Sequence, residues 1–204
     1  AGGTAIKQGK CYTLFIQMQL CAHGSLETWL KKPGRELEPQ TNRTVFRQVI
    51  AGLVHIHNHG LIHRDLKPAN IFLTADGDGA RIGDFGLSKQ TTGAGGIRDL
   101  DTSPSNSPSL NLLSLRPHTC GIGSPLYCSP EQLSGKQYSK KSDIFSLGVI
   151  FCEMHCIFST TMERLKILND CRGRNFAETS LPGDSAACDF ARLLLDPNPA
   201  NRPS

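Results

Sequence analysis

The sequence is poor in the features that would commit it to an unusual architecture. Only 6% of its 204 residues are aromatic, with one tryptophan and three methionines, and its 20 glycines and 12 prolines follow no period. A collagen-like, coiled-coil or wholly disordered chain is excluded on that composition. The longest nearly apolar stretch, 144–152, is broken by Ser146 and Gly148. It falls well short of the roughly 20 residues that cross a bilayer as a helix. Charge of one sign is not gathered anywhere: 22 Lys and Arg stand against 18 Asp and Glu, a scattered +4 that gives little footing for nucleic acid. The cysteines at 11, 21, 120, 128, 152, 156, 171 and 188 contain no C-x-x-C pair. They read as reduced thiols of an intracellular protein. Cys152, His155 and Cys156 lie in an apolar run without a fourth ligand and read as core rather than a zinc site. The chain opens at Ala1 with neither initiator Met nor the basic and apolar regions of a secretory signal, and reads as a truncation point.

What remains is the balance of a globular chain, 38% hydrophobic and 20% charged. A domain of this length removes roughly 70% of its unfolded surface from water. Residues 1–11 read as a linker leading to a strand at 12–19. Gly24-Ser25 opens a short helix stopped by Pro33-Gly34, and a longer helix over 41–59 carries Val45, Phe46, Val49, Ile50, Leu53, Val54 and Ile56 at helical spacing, with Gly60 as terminator. From 90 to 116 the composition shifts to Gly, Ser, Thr, Pro and Asn, which predicts a long mobile loop. Ser129-Pro130-Glu131-Gln132 has the form of a helix start with a capping box. The run 142–157, apolar nearly all round, predicts a helix buried among helices. Two amphipathic helices follow at 161–171 and 185–195. The fold class is α+β overall, mainly α.

Between the helices, 71–73 and 80–82 read as strands joined around Asp76-Gly77-Asp78-Gly79, a strong hairpin signal. Folding the chain about Gly77 sets Asn70 opposite Asp84, placing two oxygen-bearing side chains where one hard cation could be shared. An EF-hand reading of the same tip fails, because Leu87 stands where the loop's final Glu belongs.

His63-Arg64-Asp65-Leu66-Lys67-Pro68-Ala69-Asn70, then Asp84-Phe85-Gly86 and Ser129-Pro130-Glu131, resemble in order and spacing the catalytic loop, metal motif and closing motif of protein kinases. The resemblance implies a kinase-like fold, here the C-terminal lobe with the last N-lobe strand and hinge, that uses ATP and Mg2+. It makes Asp65 the base for the acceptor hydroxyl and Lys67 the cation beside the migrating phosphoryl group, as in Ser/Thr kinases. Asn70 and Asp84 become the metal ligands. Met18, Gln19 and Cys21 fall at the adenine-side hinge, with Phe72 beneath the base. Arg64 would receive an activation-segment phosphate, foremost on Thr119, and Ser124 lies beside the acceptor. Glu131 with Arg202, and Asp143, are implied as scaffold.

Phe15-Ile16-Gln17-Met18-Gln19-Leu20-Cys21, Gly123-Ser124-Pro125-Leu126-Tyr127-Cys128-Ser129-Pro130-Glu131-Gln132 and Phe158-Ser159-Thr160-Thr161-Met162-Glu163-Arg164 resemble more narrowly the kinases of the alpha subunit of eukaryotic translation initiation factor two. That likeness implies translational repression under stress and substrate docking through Thr161, Glu163 and Arg164. It also implies a cytoplasmic location, with an endoplasmic reticulum tether outside this region as the variant, and dimerisation through a missing N-terminal lobe. The Gly-rich loop and strand Lys are absent upstream, so the chain as it stands is expected to bind ATP poorly. A non-catalytic pseudokinase docking partners through 161–171, or a Ser/Thr kinase with another substrate, stay open as alternatives. The four intact residues Asp65, Lys67, Asn70 and Asp84 weigh against the first.

Overall fold

Ser25 opens the first helix of the computed structural model, its hydroxyl accepting the Thr28 backbone N–H at 3.3 Å. This satisfies one of the donors that every helix start leaves free. The structure describes residues 17, 21–74, 79–91, 97–98, 125–135, 139–176 and 185–204. The expected strand at 12–19, Gln17 apart, lies outside them. Helix α1 (Leu26–Leu30) is short, and α2 (Pro39–Asn58) begins two residues before its expected start, with Pro39 in the first turn. A missing N–H is harmless there. Along α2, Val45, Phe46, Val49, Leu53 and Ile56 are buried, whereas Val54 is half exposed because it falls off the stripe. Gly60, at φ 71°, turns the chain out of the helix in a conformation that favours glycine.

Two small antiparallel sheets follow. Strands β2 (Ile71–Leu73) and β3 (Ala80–Ile82) form the expected hairpin. The other sheet has the order β1 (Leu61–Ile62), β4 (Lys89–Thr91), β5 (Ile97–Arg98). This departs from the long mobile loop expected over 90–116, since residues 90, 91, 97 and 98 pair in strands. Leu61 and Ile62 present backbone donors and acceptors that need partners, and the chain after the hairpin supplies them irrespective of its composition. The remainder of that stretch, with Thr119 and Ser124, lies outside the described residues.

Helix α3 (Pro130–Leu133) starts with the expected capping box: the Ser129 hydroxyl accepts the Gln132 N–H, and the Gln132 side chain accepts the Ser129 N–H at 2.9 Å. Helix α4 (Lys140–Met154) is the centre of the core. It starts two residues early because Ser139 caps it, and it stops at His155, whose ring bonds the Phe151 carbonyl. Helices α5 (Thr161–Arg172) and α6 (Ser185–Leu194) pack beside it. Phe46, Phe151 and Phe190 join α2, α4 and α6 in edge-to-face contacts 5.1 to 6.2 Å apart. A β-carbon on Gly148 would lie 2.9 Å from Leu194 and Leu195, so this glycine permits the close approach of α4 to α6. Cys152 and Cys156 are buried in this core, where burial pushes the Cys156 thiol up to about 12.

Arg202 closes the domain from the far end of the chain. Its side chain is buried and forms a two-pronged pair with Glu131, at 2.7 and 2.9 Å, over the ring of Phe145. Burial works against the charge of Glu131, but the Arg202 fork, a backbone N–H and the Ser142 hydroxyl hold its carboxyl below the usual value.

Candidate active site

Residues 63–70 link β1 to β2 through a 3-10 turn at Pro68–Asn70, and Asp143 at the start of α4 holds this loop from below. One Asp143 oxygen accepts the Arg64 N–H, and the other accepts the His63 N–H, each at 2.9 Å. The second oxygen also accepts from His57 at 2.8 Å. Three donors thus serve one buried carboxylate, and charge-assisted bonds of this kind are the strong ones. His63 is fully buried, its Nε2 donating to the Gly83 carbonyl at 3.0 Å while Nδ1 has no hydrogen-bond partner among the described residues. Arg64 is held at φ 72°, a strained conformation for a side-chain-bearing residue, and one that persists where surrounding bonds over-determine it.

Three side chains of the loop meet: Asp65, Lys67 and Asn70. Lys67 Nζ lies 2.7 Å from Asp65 Oδ2, and the pair is only partly screened from water. Asn70 Nδ2 donates to the Asp65 carbonyl at 2.8 Å and to its carboxylate at 3.2 Å. Both acceptors demand the amine end of the amide, which leaves the Asn70 oxygen as the group with capacity to spare. Asp65 is therefore oriented from two sides by a cation and an amide.

The hairpin register differs from expectation by one residue. Ile71 pairs with Ile82, Phe72 with Arg81 and Leu73 with Ala80, so Asn70 stands opposite Gly83, whose N–H donates to the Asn70 carbonyl at 2.9 Å. Asp84 comes one position later, because the pairing is not centred on Gly77. It leaves the ladder at φ 61°, where strand alternation no longer dictates the direction of a side chain. Its carboxylate is exposed and accepts the Gly86 N–H at 3.4 Å. Asn70 and Asp84 thus flank the same end of the hairpin by a turn rather than by direct pairing.

Phe72 sits mid-strand on β2 beside the start of α1, where the Leu73 N–H donates to the Gly24 carbonyl at 2.9 Å. Its ring covers Gly83 so closely that a β-carbon there would meet it at 2.8 Å. Cys21, partly exposed, leads into this corner, while Met18 and Gln19 lie outside the described residues.

Of the residues expected to receive a docked substrate, Thr161 and Glu163 are exposed at the start of α5, beside Met162, which is 76% exposed. Arg164 is not with them. It turns inward, giving Nε to Glu153 and Nη2 to the Tyr127 hydroxyl, both at 2.7 Å, while that hydroxyl donates to the other Glu153 oxygen. Burial, and then Glu153, push the Tyr127 phenol far above its ordinary value, so it stays a donor. The site contacts of Tyr127, Glu153 and His57 escaped the sequence reading, as did the second bond of the capping residue Gln132, whose amide donates to the Arg64 carbonyl at 3.1 Å. Their partners lie tens of residues away, and no local spacing signals them.

A protein kinase domain model matches residues 8–204. A probable serine/threonine-protein kinase, ifkB of Dictyostelium discoideum, is 38% identical over 95% of this chain and 16% of its own length. Eukaryotic translation initiation factor 2-alpha kinase pek-1 of Caenorhabditis elegans is 36% identical over 96% of the chain and 18% of its own length. Eukaryotic translation initiation factor 2-alpha kinase 1 of Mus musculus is likewise 36% identical, over 94% of the chain and 31% of its own length. The chain spans less than a third of each of these relatives. The catalytic loop held by Asp143, the hairpin that follows it and the family match over nearly the whole sequence together establish that this chain belongs to the protein kinase domain family.

Proposed function

We propose that this chain supplies the catalytic loop and substrate-docking lobe of a Ser/Thr protein kinase acting on the alpha subunit of eukaryotic translation initiation factor two. The observation that carries the catalytic reading is the grouping of Lys67 and Asn70 on Asp65, at 2.7 and 3.2 Å. A carboxylate aimed by two donors is suited to orient an acceptor hydroxyl and take its proton as the bond to phosphorus forms. Lys67 offers positive charge to the oxygens of the transferred group. The substrate reading rests on the names of the relatives and on the exposed Thr161-Met162-Glu163 face, which suits a folded protein surface better than a small molecule.

The Asn70 amide oxygen and the Asp84 carboxylate fit a hard divalent cation such as Mg2+, which prefers oxygen ligands and partners phosphates. When bound with ATP, that ion neutralises phosphate charge. Cys21 and Phe72, with Met18 and Gln19, are the proposed adenine-side residues. Arg64 is proposed to pair with a phosphate on Thr119, with Ser124 beside the acceptor. Among the described residues no helix is long and apolar enough to cross a membrane. The cytoplasmic location is proposed from the resemblance to the initiation factor kinases alone.

The test is Asp65→Asn in the intact protein, assayed on the folded initiation factor subunit. Turnover is expected to fall by roughly 10²- to 10⁴-fold, the range a positioned general base contributes, with the unfolding midpoint retained. Undiminished turnover would remove the base assignment.

A further inference from the structure

The inward-facing arginines of α5 have a use that docking does not explain. Arg164, at the first turn, is bound to the Tyr127 hydroxyl and to Glu153. Arg172, at the last turn, gives one nitrogen, Nη1, to two carbonyls, those of Leu126 and of Cys128, the latter at 2.7 Å. Its guanidinium lies 5.1 Å over the ring of Phe145 on α4. The second half of the 3-10 turn Pro125–Tyr127, with Cys128 after it, is therefore held from both ends of a single helix. Immediately after it comes the capping box of Ser129 and Gln132, and the same Gln132 side chain donates to the Arg64 carbonyl, one peptide before Asp65. A continuous set of bonds runs from α5, through the turn and the cap, to the backbone of the catalytic loop.

We propose that Arg164 and Arg172 are positioning residues for phosphoryl acceptance: by clamping the turn at 125–128 onto α5 they fix, through Gln132, the placement of Asp65 against the acceptor hydroxyl. This rests on the reading of Asp65 as the base. The helix that presents Thr161 and Glu163 outward is thus the helix that sets the acceptor side of the site inward. The physical basis is that hydroxyl, base and phosphorus must align within a fraction of an ångström, so a loosened carbonyl anchor costs turnover rather than nucleotide affinity.

The experiment uses the intact kinase with a short serine peptide and ATP. Arg172→Met keeps a stem over Phe145 and removes both donated bonds. We expect kcat to fall roughly 10- to 100-fold with KM for ATP unchanged and most of the protein still folded at the assay temperature. Arg172→Lys should recover kcat to within a few-fold, since a single nitrogen serves both carbonyls. Gln132→Glu keeps the cap acceptor but withdraws the donor to Arg64. If the two act along one path, the double variant Gln132→Glu with Arg172→Met is no slower than the slower single variant. A full multiplicative loss in the double variant, an unchanged kcat in Arg172→Met, or a loss matching only the fraction unfolded would each overturn the proposal. Should Arg172→Met not fold, Tyr127→Phe tests the other end of the clamp, with a several-fold fall in kcat expected and an unchanged kcat counting against it. An inactive Asp65→Asn beside an unimpaired Arg172→Met would keep the catalytic reading and remove this one.

Discussion

Asp143 accepts the backbone N–H of Arg64 at 2.9 Å, and this contact spans 79 residues of chain to hold a strained peptide immediately ahead of Asp65. Asp143→Asn keeps the shape but substitutes an N–H2 for one of two oxygens that now accept three donors. A buried donor facing another donor costs about 1–3 kcal/mol. The expected result is that loss in denaturant unfolding together with a fall in kcat larger than the unfolded fraction explains, read from parallel melts and turnover assays.

The pair of Glu131 and Arg202 sets an acid limit on stability. The Glu131 carboxyl is held below its unfolded value, so its contribution is present above the unfolded pKa and is lost as pH falls through the lower folded one. Breaking a buried pair by removing one partner costs about 3–5 kcal/mol. Glu131→Gln should therefore lower stability at neutral pH, and its unfolding free energy should change less than the parent's between neutral and acid pH. Parallel acid limbs would show that the carboxylate is not the group responsible.

Gly148 tests the packing of α4 on α6. Alanine there meets Leu194 and Leu195 at 2.9 Å, and overpacking of this kind costs about 1–3 kcal/mol. The expected outcome is a lowered unfolding midpoint with KM for ATP unchanged. An equally stable variant would mean that α6 shifts freely.

The proposed docking of substrate on the outer face of α5 makes a selective prediction. Glu163 also accepts the Ser159 N–H at 2.7 Å, so Glu163→Gln is the variant of choice because it keeps that acceptor. KM for the folded initiation factor subunit should rise several-fold while kcat and KM for a short peptide stay as they were. An equal effect on both substrates would argue against docking there.

Thiol labelling reads the core directly. Cys152, Cys156 and Cys171 are buried, and burial holds the Cys156 thiol up at about 12, whereas Cys21, Cys128 and Cys188 are partly exposed. Alkylation of the native protein near neutral pH should modify the second set in minutes and leave the first untouched until denaturant is added, because the thiolate is the reactive form. Rapid native labelling of Cys152 would contradict the packing of α4.

Much of this was legible along the chain, for reasons that are local. The Ser25 and Ser129 caps, the stripe of α2 and the strands around residues 74–79 arise from interactions within a few residues, which spacing alone reveals. The ordered motif from His63 to Asn70, with Asp84 after it, carried the family. The symmetric count about Gly77 missed the hairpin register by one residue: it sets Leu73 against Arg81, whereas the observed pairing puts Ile71 against Ile82 and Leu73 against Ala80 on the buried side and leaves Phe72 against Arg81 on the other, so the alternation of apolar positions was the better guide. Nor did the sequence show that Arg164 turns inward beside two exposed neighbours: helical position places a residue on a face, but its direction depends on Glu153 and Tyr127, brought there by packing. The sequence by itself determined which chemical groups this lobe possesses and the elements that carry them. Only the tertiary structure decided what each group faces, because buried charges and strained peptides are settled by partners that folding brings from distant parts of the chain.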